Sequence, residues 1–227
     1  MKAFLDKIYI GTMSGTSHDG IDICAIKVSN QVRLLKFSSY KYPVRLKKEI
    51  TRVIQQQELS LSGYLELNNK IGIAFSNSIN KFLTENNVSK KNVAAIGLSG
   101  QTLFHNPKSK YPFSIQAGDP IVIANECGID VVSDFRNDHI KLGGEGAPLV
   151  PEFHHKIFAK KNLNLVILNI GGISNFTFLD GKDDFYGSDC GPGNALMDIY
   201  CQKFLNRPYD KDGKHARDGE VHLPSLN

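Results

Sequence analysis

The sequence predicts an α/β fold made of two related units, the second of them shorter. Three observations carry this. Apolar runs of strand length alternate with longer segments of helical period. A β-β-β-α-α-β order opens the chain, and a strand–glycine turn–strand order restarts near residue 163, which points to an internal duplication. Glycine-rich loops punctuate both units: Gly11-Thr-Met-Ser-Gly-Thr-Ser-His-Asp-Gly20 after Ile8-Tyr-Ile10, Asn169-Ile-Gly-Gly-Ile-Ser-Asn175 after Leu165-Val-Ile-Leu168, and Ser188-Asp-Cys-Gly-Pro-Gly-Asn194.

Element by element, Lys7–Gly11 reads as a strand, with Ile21–Val28 and Val32–Phe37 following as an antiparallel meander turned at Ser29-Asn30-Gln31. Pro43 breaks the pattern. A helix over Val44–Gln57 then places Leu46, Ile50, Val53 and Ile54 on one face. Ser60 or Ser62 caps a longer helix reaching Asn86. Val93–Leu98 is a short apolar strand of the kind buried on both faces. Ser114-Ile-Gln116 and Ile129–Val132 read as further strands with Asp119–Cys127 helical between them, and a loop surrounds Gly143-Gly-Glu-Gly-Ala-Pro148. Val150–Phe158 reads as a helix, Leu163–Ile170 as another buried strand, Phe176–Leu179 as its return, and Gly193–Leu205 as a helix. The expected division is 1–134 with the first glycine loop and 135–227 with the other two. The polar end, Asp218-Gly-Glu-Val-His-Leu-Pro-Ser-Leu-Asn227, has no closing element and reads as cut off.

Composition bounds the function. The chain has 227 residues, 41% hydrophobic, enough for a core, and a net charge of +4. Its lysines are scattered in short pairs, so no basic arm for nucleic acid is expected. Cys24, Cys127, Cys190 and Cys201 form no CxxC pair or zinc spacing. No apolar stretch approaches the roughly 20 residues of a membrane span, and the start does not resemble a signal peptide. The expected setting is therefore the cytoplasm, with reduced thiols and no membrane partner.

The chemistry lies in the loops. Gly11 and Gly15 permit unusual backbone angles, while Thr12, Ser14, Thr16 and Ser17 offer hydroxyls beside bare amides. Asp19 and Asp22 are candidates to hold Mg²⁺ through water. An ordinary hairpin has the same composition, and the loop is neither a Walker A nor a GxGxxG motif. Asp189 is either a general base or a helix cap; Asn194 at the helix start is the other candidate cap. Gln101, Thr102 and His105 follow a buried strand and suit a hydroxylated ligand, or else a surface loop with a satisfied histidine. Asp134 and Arg136 offer a carboxylate and a guanidinium, for a ligand or for each other. Cys190 has no evident base partner and His154-His155 read as helix surface, so neither is given a role.

Taken together these motifs resemble the anhydro-N-acetylmuramic acid kinases of bacterial cell-wall recycling. The resemblance rests on Met13-Ser-Gly-Thr-Ser17 with Asp19, Gly20 and Asp22, on Gly100-Gln-Thr102 with His105, and on Gly118-Asp-Pro120. It continues through Asp134-Phe-Arg136, Gly146-Ala-Pro-Leu-Val-Pro151, Asn169-Ile-Gly-Gly-Ile173, Gly191-Pro-Gly-Asn194 with Leu196-Met-Asp198, and Tyr209-Asp-Lys-Asp-Gly213. It implies an actin-like ATPase or sugar kinase (ribonuclease H-like) fold with the second domain incomplete, using ATP and Mg²⁺. It implies phosphate contacts from Gly11, Thr12, Met13, Ser14, Gly15, Thr16, Ser17 and Asp19, and from Gly171 and Gly172 of a second phosphate loop. Sugar contacts are implied for Gln101, Thr102, His105, Asp134, Arg136, Gly191 and Asn194, with Asp189 as general base. The implied reaction turns 1,6-anhydro-N-acetylmuramic acid into the 6-phosphate while opening the anhydro bridge, and the implied assembly is a homodimer.

Three departures accompany the resemblance. Ser99 stands where the family commonly has His, and Glu145 where it commonly has Gln. Family members also continue beyond this chain's last residue, through a glycine-rich adenosine-binding motif. Two other readings follow: an inactive remnant that retains sugar or partner binding, and a different sugar or acetate-type kinase on the same fold.

Overall fold

The computed structural model describes residues 7–15, 18–29 and 31–225. Two compact units divide the chain, Met1–Leu149 and Val150–Asn227. The first unit runs past the boundary expected at residue 134 for a simple reason. A helix over Phe135–Lys141 packs on the first unit's sheet, with Asn137 Oδ1 accepting from Ser114 N at 3.0 Å and Ile140 buried.

In the first unit, β1 (Ile8–Ser14), β2 (Gly20–Val28) and β3 (Val32–Lys41) form an antiparallel meander. β4 (Val93–Asn106) lies parallel to β1 on its other side. Two strands then share β4: β6 (Val131–Val132) runs parallel to its first half, and β5 (Phe113–Ala117) runs antiparallel to its second. The resulting order β3-β2-β1-β4, with β6 beyond, is the ribonuclease H-like arrangement expected for actin-like ATPases and sugar kinases.

β4 is longer than the sequence pattern predicts. Its polar run Ser99-Gly-Gln-Thr reads as a loop, yet Gly100 at φ +67° lets the strand bulge and continue. Gln101, Thr102 and His105 are therefore ladder residues opposite Ala117, Gln116 and Ser114.

The helices α1 (Val44–Gln56), α2 (Leu61–Glu85), α3 (Pro120–Cys127) and α4 (Phe135–Lys141) complete this unit. Its core joins Ile10, Ile21 and Ile23 of the sheet to Ile50 of α1 and Ile71, Phe75, Ile79 and Phe82 of α2. α2 begins where Ser60 Oγ accepts from Gly63 N at 3.1 Å, satisfying an amide that the first turn leaves unpaired. Replacing Ser60 with Ala is expected to cost about 1 kcal/mol of stability, read as a lower urea midpoint with unchanged slope; an unmoved midpoint would show that water replaces the cap at no cost.

The second unit repeats the plan on a smaller scale. β7 (Leu165–Ile170), β8 (Ile173–Leu179) and β9 (Phe185–Pro192) form a meander followed by α6 (Ala195–Leu205), as β1, β2 and β3 precede α1. α5 (Val150–Phe158) packs on β8 and β9, where His154 Nδ1 and Thr177 Oγ1 lie 2.9 Å apart. A short α7 (Lys214–Asp218) follows α6. β7 was expected to be buried on both faces, but Val166, Leu168 and Ile170 are 64%, 56% and 66% exposed. These three alternate residues share one face, which α5 does not cover.

Candidate functional site

The glycine loops behave differently once folded. Of the first, Gly11, Thr12, Met13 and Ser14 belong to β1, while Thr16 and Ser17 lie outside the described residues. Strand alternation turns Thr12 and Ser14 inward, each 5% exposed. Thr12 Oγ1 donates to Gly97 O at 3.2 Å. Ser14 Oγ is 2.7 Å from both Gly20 O and Gln101 Oε1. Both hydroxyls are thus engaged within the protein. They hold the sheet; beyond them, His18 N donates to Gly15 O at 3.0 Å.

Gln101, expected at a strand end, lies within β4 and belongs to this network. It is fully buried, and its Nε2 donates to Gly15 O at 3.4 Å and Thr102 O at 3.2 Å. Its amide ties β4 to the start of the first glycine turn and to Ser14, rather than facing solvent. Asp22 is half-buried on β2, opposite Met13, and Asp19 is exposed at the turn. Among the described residues no group of three metal-ligating side chains occurs. Two carboxylates of this kind fit Mg²⁺ that keeps most of its own water and takes phosphate oxygens, not a protein cage.

A cleft of about 390 Å³ opens beside the β4–β5 ladder. Ser99 and Gly100 of β4, Ser114 and Gln116 of β5, Tyr64 and Asn68 of α2, and Asp134 and Asn137 at α4 contribute to its walls. Asp134 has φ +67° and occupies the position before α4 without making a capping bond; its Oδ1 accepts from Asn137 Nδ2 at 2.6 Å. Asp134 is one of eight described non-glycine residues at positive φ, a conformation that Asp adopts more readily than most side chains.

Thr102 and His105 support this wall from behind. Gln116 Nε2 donates to Ser114 Oγ at 2.7 Å and to Thr102 Oγ1 at 3.3 Å, and His105 Nδ1 lies 2.9 Å from Ser114 Oγ. Arg136 turns elsewhere: its NH1 donates to Gly146 O at 2.8 Å, and burial lowers its pKa. Burial raises the Tyr64 phenol, and the carboxylates of Asp119 and Asp134 raise it further. Glu145 forms an exposed pair with Lys108 at 3.7 Å, so its charge is matched there and it does not line the cleft.

Tyr64, Asn68, Ser114, Gln116 and Asn137 were not singled out from sequence. Tyr64 and Asn68 sit four apart on α2, a polar stripe that reads as solvent-facing by periodicity alone. In the fold, Asn68 Oδ1 accepts from Gly118 N at 2.8 Å, and its backbone carbonyl accepts from Asp119 N at 3.1 Å. Asp119 in turn caps α3 through Ile121 N and Val122 N.

In the second unit, Gly171 and Gly172 make the β7–β8 turn, and their carbonyls are the notable groups. Gly172 O accepts from Gly193 N and Ala195 N at 2.9 and 3.2 Å, and Gly171 O from Asn194 N at 2.8 Å. The first amides of α6 are thereby satisfied by a neighbouring turn. Asn194, expected as a side-chain cap, makes no capping bond, because its φ −86° and ψ −7° are helical rather than extended.

Asp189 is not in a loop. It lies in β9 opposite Asn175. The next paired residues are Gly191 and Ser174, so Cys190 is the extra residue of a bulge. Gly191 at φ +139° permits it, and Cys190 Sγ lies 3.3 Å from Ser174 O. The bulge re-aims the strand directly after Asp189, whose carboxylate is left exposed beside the Gly171-Gly172 turn's partner strand.

A family model described as anhydro-N-acetylmuramic acid kinase matches residues 7–227 of this chain. The chain belongs to that family. A kinase of this name from Gamma-proteobacterium EBAC31A08 is 48% identical over 215 residues, 95% of this chain and 59% of the relative. Another, from Vibrio vulnificus strain YJ016, is 41% identical over 222 residues, covering 97% of this chain and 60% of its own length. The chain thus spans about 60% of the length of the curated anhydro-N-acetylmuramic acid kinases it matches. Among solved structures, a chain of a PilM–PilN type IV pilus biogenesis complex aligns over 89% of this chain and 66% of its own, at 12% identity and TM-score 0.45. Among the described residues of this family member, no helix is long and apolar enough to cross a membrane.

Proposed function

We propose that this chain carries the sugar- and phosphate-handling residues of an ATP-dependent kinase acting on 1,6-anhydro-N-acetylmuramic acid in the cytoplasm. The observation that carries the reading is Asp189, a carboxylate held exposed by a bulge and a glycine at positive φ, in a chain matched to this family from residue 7 to 227.

Asp189 accepts a proton from a water molecule while that water's oxygen bonds to the anomeric carbon. The bond from the anomeric carbon to the bridge oxygen breaks, and that oxygen, bound to C6, attacks the γ-phosphorus of ATP. The bond between the γ-phosphorus and the β–γ bridging oxygen breaks in turn. The products are N-acetylmuramic acid 6-phosphate and ADP, with the proton on Asp189 released to solvent. Amides of the first glycine turn and of Gly171-Gly172 would position the phosphates. Bound magnesium would neutralise phosphate charge, with Asp19 and Asp22 holding it through water. Asp134, Ser99 and Tyr64 would receive the sugar in the cleft of the first unit, and Gln101 would fix the first glycine turn from below.

Mass spectrometry of the anhydro sugar incubated with the protein and Mg-ATP tests this. A product heavier by one phosphoryl group and one water is the expected result. No product from protein that circular dichroism shows to be folded would overturn turnover by this chain.

A further inference from the structure

We propose that a groove between the β2–β3 ladder and α2 is a second binding site, one that takes a small monocarboxylate with an apolar body. The groove holds about 380 Å³ and shares no residue with the cleft beside the β4–β5 ladder.

Small side chains open it. Ala74, Asn77, Ser78 and Lys81 follow one another at helical spacing along a single face of α2 and line the groove. Phe75, Ile79 and Phe82, on the neighbouring face of the same helix, fill the core instead. β3 is the outermost strand of its sheet, so no further strand closes the space at the edge. Ile21 and Ala74, 1% and 8% exposed, give the groove a buried apolar lining, and Pro43 adds a rigid apolar side.

The polar groups divide into those already engaged and those left over. Tyr40 Oη donates to Glu85 Oε2 at 2.7 Å, and Lys81 Nζ lies 3.7 Å from Glu85 Oε1 and 5.3 Å from the centre of the Tyr40 ring. Ser78 Oγ donates to Ala74 O at 2.9 Å. Lys41 and Asn77 line the same groove, and neither side chain has a hydrogen-bonding or ionic partner among the described residues.

Charge then selects the ligand. Lys41 and Lys81 are the two charged residues of the lining, and Glu85 cancels one of them, which leaves a balance of one positive charge. A monoanion neutralises that balance, whereas a dianion brings a second charge with nothing to meet it. The Lys41 ammonium and the Asn77 amide supply N–H donors that suit one carboxylate. An apolar body on the same molecule covers Ile21, Ala74 and Pro43, and this burial adds to the attraction. Both lysines reach solvent, so the ionic part is screened and the affinity is modest.

Benzoate is the probe, titrated into the full chain at neutral pH and followed by amide nuclear magnetic resonance. The expected result is a saturable shift of the Asn77 side-chain amide and of the Ile21, Tyr40 and Lys41 backbone amides, with a dissociation constant of about 1 mM. Benzamide, neutral and of the same shape, should bind at least about tenfold more weakly, and phenyl phosphate no more tightly than benzoate. Lys41→Met keeps the apolar stem and removes the charge, and should weaken benzoate about tenfold. Lys41→Arg should restore it to within about threefold. The site is overturned if these amides do not shift, if benzamide matches benzoate, or if Lys41→Met binds benzoate like the parent. Failure of Lys41→Arg to restore binding overturns the role of charge, and phenyl phosphate binding more than about tenfold tighter than benzoate overturns the monocarboxylate.

Discussion

Asp189→Asn is expected to reduce formation of the phosphorylated sugar by about 10²- to 10⁴-fold. The substitution nearly preserves shape, replaces one acceptor oxygen by an NH₂ donor, and removes the negative charge and the basicity that an attacking water requires. The fold should not register it. Asp189 is exposed in β9, and its structural ties are main-chain: the ladder to Asn175, and its carbonyl accepting from Ser188 Oγ at 3.0 Å. The unfolding midpoint should therefore stay within about 0.5 kcal/mol of the parent, and nucleotide affinity should be unchanged. Turnover by the variant at the parental rate would remove Asp189 from the mechanism.

The position of Asp189 also shows where sequence reading ended. Glycine and proline in Cys190-Gly-Pro-Gly suggested a loop, because both residues punctuate chains. In the fold, Gly191 serves a bulge inside a strand, a use that only a paired partner strand reveals. The same reason hid the length of β4. Ser99-Gly-Gln-Thr has the composition of a turn until β5 supplies the ladder, and β5 joins from beyond a loop of its own. α2, by contrast, was legible end to end, since its cap at Ser60 and its apolar period are local properties. α4 was missed because it is seven residues long and starts from a left-handed aspartate.

Side-chain direction was the harder matter. Thr12, Ser14 and Gln101 are polar residues in glycine-rich motifs and read naturally as ligand contacts. The pleat points the first two into the core, and Gln101 joins them as a fully buried amide. Ser14 and Gln101 bond Gly20 and Gly15 on either side of the first glycine turn, and Thr12 bonds Gly97 of β4. The family resemblance located the motifs, and the fold shows which of their side chains are buried.

Gly193→Ala should be the most damaging small substitution in the second unit, lowering its stability by about 3 kcal/mol. A Cβ at this position would overlap Gly171 O, which is backbone and cannot rotate away. Relief requires α6 to lift from the Gly171-Gly172 turn, which lengthens the bonds from Gly193, Asn194 and Ala195 together. Those three amides open α6 and have no partner within the helix, so lifting leaves donors and acceptors unpaired on both sides. Gly172→Ala is the matched control. A Cβ there meets only Ala195 Cβ and Asn194 Oδ1, each at 3.9 Å, so its effect should stay within about 0.5 kcal/mol. Urea unfolding measures both, and hydrogen exchange reads the latch directly through the amides of residues 193–195. If Gly193→Ala unfolds with the parent while its amides stay protected, the turn does not hold the helix. If the amides open as expected, the bulge at Cys190 loses its anchor on the helix side, and Asp189 loses with it the backbone that fixes its direction. Turnover should then fall even though no side chain near the sugar has changed.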